Sequence, residues 1–182
     1  IKKTVSVGTL VQARLLQLAI SSFKERSNNN MKSSIVNITA QCTMNHDLFL
    51  TDNSVSIPHL SCYEATNAFG YFHAKSVYEE IKHRFPLIDF LVITPGAVIT
   101  ERTSLSLDHI PSPFTVDVET YVKNIIKSMG NINGPQHAYW GHSFGTAIVN
   151  VFPFINKSRI EADTGYAFSK EFEEKYNIKQ KL

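Results

Sequence analysis

The sequence has few of the features that mark several large classes of protein. Its 182 residues carry a formal net charge of only +2, a balance too mild to indicate nucleic-acid binding. The two cysteines, Cys42 and Cys62, form no motif and indicate no compartment. No apolar run is long enough to predict a membrane-spanning helix. The length suits one domain with a core of its own.

Clustered metal ligands and glycine-rich turns are also missing. The closest histidines, His137 and His142, have no cysteine or acidic cluster beside them, so the sequence predicts no metal site. The turns Gly-x-x-x-Gly-x-Gly and Gly-x-Gly-x-x-Gly, which hold the pyrophosphate of a dinucleotide, do not occur. A dinucleotide-binding domain built on this sequence would need that turn from elsewhere in a longer chain or from a second polypeptide.

Hydrophobic periodicity predicts alternating helices and buried strands. The spacing of Val11, Leu15 and Leu18 predicts a helix over 5–26. Apolar runs at 34–39 and 90–94 predict buried parallel strands with a long helix between them. A further helix is expected to end at Gly130. This alternation predicts an α/β fold.

Residues 62–100 organise the chain and carry its clearest motifs. They begin with Tyr63-Glu64-Ala65-Thr66-Asn67 and end with Pro95-Gly96-Ala97-Val98-Ile99-Thr100. These motifs resemble the Tyr-Ser-Ala-Thr-Lys and Pro-Gly-x-Val-x-Thr of the short-chain dehydrogenase/reductase family. The segments 111–130 and 137–153 narrow the resemblance to very-long-chain 3-oxoacyl-CoA reductases and related 17β-hydroxysteroid dehydrogenases.

The resemblance covers nearly all of residues 1–155. It implies the C-terminal half of a Rossmann-like domain with a parallel sheet, without the N-terminal half that binds phosphate. A polar tail, 156–182, follows. In the family the catalytic Tyr opens a long helix, and a Lys one turn later shares its face, holds the nicotinamide ribose and makes the Tyr a better general acid.

Two registers compete for this catalytic pair. Tyr63 lies 32 residues before Pro95, whereas Tyr71 lies 24 before it. In the family that the chain resembles, roughly thirty residues separate the catalytic Tyr from this Pro, because a long helix and a strand lie between them. Spacing therefore favours Tyr63, which places Asn67 at the lysine position. Tyr71 then belongs to a packing stripe and Lys75 to a polar helix face that includes Glu79.

In the favoured register three of the four family catalytic positions are replaced. The resemblance places Ser6 where the family has a relay Asn, Ala40 where it has the catalytic Ser, and Asn67 where it has the Lys. Only Tyr63 remains, and without the Lys it is expected to be a poor acid. We therefore predict a catalytically inactive, reductase-derived subunit with no cofactor.

An active enzyme is the alternative. It would be an NADP(H)-dependent reductase of long-chain 3-oxoacyl-CoA or steroid substrates that uses Tyr71 and Lys75. If cofactor is bound, the resemblance assigns its contacts to four residues of the Pro-Gly motif: Pro95, Gly96, Val98 and Thr100.

The expected partners are other protein subunits, including a homologous chain, and a membrane surface. The helices over 5–26 and 65–84 carry apolar faces that we expect to be buried between chains. Segment 137–155 is uncharged and aromatic, and we expect it to lie against lipid or another subunit. Family resemblance implies the endoplasmic reticulum membrane, with a mitochondrial membrane complex as the alternative. The long loop 41–61 and the tail are either further contact segments or plain surface.

A literal Gly-x-Ser-x-Gly, Gly141 to Gly145, matches the nucleophile elbow of α/β-hydrolases. That fold places its catalytic His after the acid, and no His follows His142. The hydrolase interpretation is therefore not favoured.

Overall fold

A computed structural model describes residues 2–41, 61–101, 103, 110, 112–151 and 170. The expectations for loop 41–61 and for the tail fall almost entirely outside these residues, as does Cys42. Cys62 is half-buried with a free thiol. The elements are α1 (Lys2–Val5), a π-helical segment (Ser6–Val11), α2 (Gln12–Asn28), β1 (Ser33–Ile38), α3 (Ser61–Ile81), β2 (Ile88–Ile93), β3 (Ala97–Ile99), β4 (Thr115–Asp117), α4 (Val118–Ser128), β5 (Gly134–Gln136) and α5 (Trp140–Val151).

The helix predicted over 5–26 is present and longer than expected. Val5, Val11 and Gln12 all have right-handed helical backbone angles, so α1, the π-helical segment and α2 form one continuous helix. Asn29 ends it by donating its N–H to the carbonyls of Glu25 and Arg26, a common way to satisfy the last carbonyls of a helix.

The main sheet has three parallel strands in the order β1-β2-β5. Val36 lies beside Leu91, and Leu91 lies beside Gly134. The short strands β3 and β4 form a separate parallel pair. The predicted α/β fold with a parallel sheet is confirmed, and it matches part of a Rossmann-like domain.

Each face of the main sheet has its own core. On one face, Phe90 and Val92 pack with residues of α2 and α3, and on the other, Leu91 and Ile93 pack with Val116 and Tyr121. The four strand residues are fully buried. Burial of each such apolar side chain stabilises the fold by roughly 1.5–3 kcal/mol. The layered α/β arrangement therefore follows from apolar runs that are buried on both sides.

Helix α4 ends next to Gly130, as its sequence predicts. The Asp117 carboxylate accepts a hydrogen bond from the Thr120 N–H at 2.8 Å and caps the N-terminus. Gly130, with φ of 76°, follows its C-terminus, where a left-handed residue favours glycine.

One expectation about the helices is wrong. The α3 face formed by Tyr71, Ala74, Tyr78 and Ile81 was expected to be buried between chains. Instead Tyr71 and Ala74 are 1% and 0% exposed within their own domain, where they pack on α2 and the sheet. Periodicity identifies the apolar face of α3, but that face packs on α2 and the sheet of its own domain and not on a partner chain. The corresponding α2 residues, Leu15 and Leu18, are exposed by 62% and 52%.

Candidate functional site

The carboxyl ends of three parallel strands meet at one edge of the sheet. Gln41 lies just beyond β1, Pro95 and Gly96 follow β2, and His137 follows β5. In open α/β sheets, ligands bind outside the carboxyl ends of the strands. This edge is therefore the candidate site.

Side chains of the same chain cover the Pro-Gly turn. The Gly96 N–H donates to Nδ1 of His142 at 3.2 Å, and the Gln41 N–H donates to the Pro95 carbonyl at 2.8 Å. A Cβ atom added at Gly96 would lie 2.8 Å from Cδ2 of His142 and still closer to the Gln41 side chain. Glycine is needed here because the chain packs against itself.

Gln41 ties the end of β1 to helix α5. Its Nε2 donates to the carbonyl of His142 at 3.3 Å and to the hydroxyl of Thr146. The Thr146 hydroxyl in turn donates to the His142 carbonyl at 3.0 Å. Together with the His142 bond to Gly96, these contacts seat α5 on the turn; we call them the α5 clamp.

His142 is neutral in this setting. It is 3% exposed, and burial lowers the pKa of His142 to about 4, against a smaller opposing effect of the Ala97 backbone. Because Nδ1 accepts from Gly96, the proton of the neutral ring is on Nε2, which has no hydrogen-bond partner among the described residues. A histidine held this way packs and accepts, but it is poorly placed to transfer protons near neutral pH.

His137 and Tyr121 form a second buried polar contact beside the clamp. The Tyr121 hydroxyl donates to the His137 carbonyl at 2.7 Å, and His137 Nδ1 lies 3.0 Å from the Thr94 hydroxyl. Burial lowers the pKa of His137 and raises the pKa of Tyr121. These groups join α4 to the ends of β2 and β5.

Val98 and Thr100, two residues predicted to contact a cofactor, form hydrogen bonds within the protein itself. The Val98 N–H donates to the Gly96 carbonyl at 3.0 Å, and the Thr103 hydroxyl donates to the Val98 carbonyl at 2.8 Å. The hydroxyls of Thr100 and Thr103 lie 2.8 Å apart. The backbone N–H and carbonyl of Val98, a residue to which the resemblance assigns a cofactor contact, thus already have partners in the protein.

Tyr63 and Asn67 lie together in a different setting. Tyr63 is in the first turns of α3 and 47% exposed, and the Asn67 side chain donates back to the Tyr63 carbonyl at 2.9 Å. Both line an open groove of about 450 Å³ between α3 and the N-terminal helix. The helices approach closely there, since a Cβ on Gly8 would lie 2.5 Å from Cβ of Thr66.

The other two replaced positions lie near the ends of their elements. Ser6 is half-buried in the first turn of the π-helical segment. Ala40 is 8% exposed, just beyond β1 and next to Gln41. Ala40 therefore lies at the candidate edge, but its side chain has no polar group to offer a substrate.

Tyr71 and Lys75 occupy a different environment from Tyr63. The Tyr71 side chain is 1% exposed in the core, and Lys75 Nζ lies 5.6 Å from the centroid of its ring. Glu79, expected to share a polar face with Lys75, forms an ion pair with Lys82. A tyrosine in this position packs the α2–α3 interface.

The Gly-x-Ser-x-Gly sequence does not form a nucleophile elbow. Ser143 is an exposed residue inside the first turn of α5, and Ala138 and Tyr139, which precede that helix, form a bend and not a strand. Packing explains the glycines: a Cβ on Gly141 would lie 2.6 Å from the Tyr139 ring, and one on Gly145 would lie 3.1 Å from the Phe114 ring.

Sequence reasoning missed Gln41 and His142 as site residues. They are 101 residues apart along the chain, and no motif joins them. The nearest signal for this site in the sequence is the spacing of His137 and His142, for which the sequence predicts no metal site. Among the described residues, no group of three or more His, Cys, Asp or Glu side chains is placed to hold a metal ion.

The chain is similar to very-long-chain 3-oxoacyl-CoA reductases of three mammals. It is 26% identical to the mouse protein over 153 residues, which cover 84% of this chain and 43% of that relative. The bovine protein is 26% identical over 155 residues, 84% of this chain and 43% of the relative. The rat protein is 27% identical over 130 residues, 71% of this chain and 36% of the relative.

The chain thus spans less than half the length of the curated relatives it matches. No family model and no solved structure matches it. The similarity supports the resemblance to short-chain dehydrogenases/reductases and a relationship to reductases. Among the helices that the structure describes, none has the length and apolar character needed to cross a membrane.

Proposed function

We propose that this chain is a catalytically inactive subunit, derived from a reductase, that works through its protein and membrane contacts. The observation that carries the proposal is the α5 clamp on Gly96. The side chains of Gln41 and His142 contact Gly96, one of the four residues to which the resemblance assigns cofactor contacts. Bound cofactor would have to displace them.

The clamp gives this displacement a cost. Three hydrogen bonds would break, from Gly96 to His142 and from Gln41 to the His142 carbonyl and the Thr146 hydroxyl. At roughly 0.5–1.5 kcal/mol each, the cost is about 1.5–4.5 kcal/mol. Since about 1.4 kcal/mol corresponds to a tenfold change in affinity, NADP(H) would bind about 10- to 1,000-fold more weakly than at an open turn.

The residues at the replaced positions support the same function. Asn67 carries no positive charge, and its amide is committed to the Tyr63 carbonyl. Ala40 has no hydroxyl to donate to a substrate carbonyl. Tyr63 therefore lacks both groups that would make it an effective acid in the family mechanism.

The active-reductase alternative receives no support from Tyr71. A general acid must reach the atom that it protonates, and Tyr71 is 1% exposed beneath α2. We therefore retain the inactive subunit as the function that the geometry supports best.

NADPH titration of the full-length protein, followed by nucleotide fluorescence, tests this proposal. We expect no saturable binding at concentrations that saturate the mouse reductase. The variant Gln41→Ala with His142→Ala, which removes the clamp, is expected to bind more tightly than the natural protein; Ser143→Ala, at an exposed position of α5, is the matched control. Saturable binding by the natural protein, unchanged by removal of the clamp, would contradict the proposal.

The N-terminal helix offers the surface for a partner subunit. Apolar side chains at helical spacing are exposed on one face of the continuous helix that the π-helical segment and α2 form, and we call them together the α2 stripe. They are Val7, Leu10, Val11, Leu15 and Leu18, exposed by 47% to 68%. A contiguous apolar stripe of this kind marks a protein contact. We propose a homologous chain or another subunit of the assembly as the partner.

Charge placed in the α2 stripe tests this contact. Leu15→Glu combined with Leu18→Glu is expected to lower the assembly mass measured by light scattering, because the substitution buries two carboxylates without partners. Gln17→Glu, exposed on the same helix, is the control and is expected to leave the mass unchanged. An unchanged mass for the double variant would exclude the stripe as an interface.

Helix α5 offers the surface for a membrane. Trp140 and Phe144 are 61% and 50% exposed one turn apart, and the helix contains no Lys, Arg, Asp or Glu. Aromatic side chains exposed on an uncharged helix suit the lipid interface. We propose that α5 lies on the membrane surface of the endoplasmic reticulum, with a mitochondrial membrane complex as the alternative.

Vesicle flotation of the full-length protein tests the membrane contact. Trp140→Ser combined with Phe144→Ser is expected to reduce the bound fraction severalfold, whereas Ser143→Ala leaves it unchanged. If the double variant floats normally but leaves its assembly, α5 contacts a subunit and not lipid. The remainder of the expected segment, 152–155, lies outside the described residues.

A further inference from the structure

An open groove lies between helix α4 and the start of helix α5, and we call it the α4–α5 groove. Its volume is about 420 Å³, within the range of roughly 300–1,000 Å³ that small-molecule sites have. Asn124, Lys127 and Ser128 line it from α4. Gln136 lines it from β5 and Trp140 from the first turn of α5. None of these residues belongs to the α5 clamp, so the groove is a second site on the chain.

The formal charge on the wall of the groove has one sign. Lys127 carries it, and its ammonium group forms no ion pair with any residue that the structure describes, whereas Lys123, one turn earlier, pairs with Glu119 at 2.7 Å. His137 also lines the groove, but burial lowers the pKa of His137, so its ring is neutral near pH 7. The residues that line the groove include no Asp or Glu. The groove therefore offers a positive charge that no carboxylate offsets.

A buried amide donor is the second polar feature of the groove. Gln136 lies beside Ile93 in the sheet register, on the face that α4 covers. Nε2 of Gln136 is buried and has no hydrogen-bond partner among the described residues. A buried N–H group without an acceptor costs free energy, and in a native protein a bound ion is one way to satisfy it. An anion that carries several oxygens would satisfy both this amide and the Lys127 ammonium group.

The N-terminus of α5 adds to the positive potential of the groove. The helix begins at Trp140, runs for 12 residues and has no acidic residue in its first turn. The first N–H groups of a helix lack intrahelical acceptors and carry partial positive charge, which favours phosphate. Because this turn lines the same groove as Lys127 and Gln136, three independent features favour one anionic group.

Exposed apolar side chains lie next to these polar groups. Trp140 and Phe144 are 61% and 50% exposed, and their ring centroids are 6.4 Å apart. Ile132, which also lines the groove, is 48% exposed. A free phosphate ion gains nothing from apolar neighbours, whereas a phospholipid carries its phosphate directly beside acyl chains. The combination therefore favours a lipid over a soluble phosphate.

We infer that the α4–α5 groove binds the headgroup phosphate of an anionic phospholipid. Lys127 pairs with the phosphate, Nε2 of Gln136 donates to one of its oxygens, and the acyl chains lie along Trp140 and Phe144. The inference rests on the proposed membrane contact of α5 and adds the class of lipid to it. In a zwitterionic lipid an ammonium group offsets the charge of the phosphate, so an anionic lipid gains more from Lys127.

Vesicle flotation of the full-length protein with two lipid compositions tests the inference. One is pure phosphatidylcholine, and the other is phosphatidylcholine mixed with phosphatidylglycerol, whose headgroup has a single negative charge and no cation. Lys127→Gln is expected to weaken binding to the mixture about fivefold, the contribution of one lysine near an anionic surface, and to leave binding to pure phosphatidylcholine unchanged.

Lys123→Gln is the matched control, because it removes the same charge from the same helix at a lysine that is already paired with Glu119. We expect it to leave binding to both compositions unchanged. An equal loss for the Lys123 and Lys127 variants would show general attraction to a charged surface and would overturn the inference.

Binding to pure phosphatidylcholine separates this inference from the proposed membrane contact. If the protein floats with pure phosphatidylcholine and phosphatidylglycerol adds nothing, the contact of α5 stands and the inference is wrong. If it floats with neither composition, both are wrong.

Fluorescence of Trp140, the single tryptophan of this sequence, identifies the source of the phosphate. Phosphatidylglycerol with brominated acyl chains is expected to quench this fluorescence, and to quench it less in Lys127→Gln than in Lys123→Gln. Soluble glycerol 3-phosphate is expected to leave it unchanged. A saturable response to glycerol 3-phosphate, together with no quenching by the brominated lipid, would assign the groove to a soluble phosphate and overturn the lipid as its occupant.

Discussion

Replacement of Tyr71 by alanine tests the structural role that separates it from Tyr63. Tyr71 is 1% exposed and packs with Leu16, Ile20 and Ala74. Removing a buried aromatic ring costs about 3–5 kcal/mol, because transfer free energy is lost and a cavity remains. Natural domains have only about 5–15 kcal/mol of stability, so Tyr71→Ala is expected to remove at least a fifth of it.

The matched substitution is Tyr63→Ala, at a side chain that is 47% exposed. We expect it to cost less than about 1 kcal/mol, as is usual away from a core. Urea unfolding of the full-length protein, followed by circular dichroism, measures both changes as shifts of the midpoint at constant m-value. Equal costs for the two variants, or a cost below about 1 kcal/mol for Tyr71→Ala, would refute the assignment of Tyr71 to the core.

Three further predictions concern the clamp, a turn and a helix face. The folded-state pKa of His142 is about 4 and its ordinary value is 6.5, so the folded state binds fewer protons than the unfolded state in this pH range. The stability that His142 contributes is therefore fully present above pH 6.5 and is lost as the pH drops to 4. The loss is about 1–3 kcal/mol when solvent screening is allowed for. His142→Gln should flatten this fall in urea midpoints measured against pH, and an unchanged slope would contradict it. Gly134→Ala should destabilise the protein more in thermal unfolding than Gly130→Ala. Gly134 has φ of 88°, and an added Cβ would lie 3.1 Å from the Tyr78 ring, whereas Gly130 has φ of 76° and no neighbour closer than 3.6 Å to such a Cβ. Equal costs would mean that crowding by Tyr78 is unimportant. Ala74→Glu places a carboxylate at a position with no exposure, so it should unfold the protein and not merely dissociate it from a partner. A variant that stays folded but has a smaller mass in light scattering would show that this face of α3 is buried between chains after all.

Local sequence pattern predicts the elements because each has a strong periodic or apolar signal. The strand runs, the helix predicted over 5–26 and the end of α4 at Gly130 all follow from it. Pattern does not say which surface an apolar face meets: the α3 stripe was assigned to a partner, yet Tyr71 and Ala74 pack inside. It also cannot show that His142 meets Gly96, because that contact depends on how α5 returns to the sheet.

The Tyr63 motif shows what a sequence motif predicts and what it does not. Spacing places Tyr63 near the start of α3, and the structure has it in the first turns of that helix. The chemical consequence of Asn67 is not visible in the sequence, since its amide turns back to the Tyr63 carbonyl. The motif therefore predicts position along the chain, whereas function depends on the contacts made at that position.

Turnover of a long-chain 3-oxoacyl-CoA with NADPH by the full-length protein tests the central claim most directly. We predict that NADPH consumption does not exceed the rate without protein, and that neither Tyr63→Phe nor Tyr71→Phe changes it. The mouse reductase serves as the positive control. Turnover by the natural protein that disappears in Tyr63→Phe would contradict the account, and loss of turnover in a folded Tyr71→Phe variant would show that the active-reductase alternative is correct.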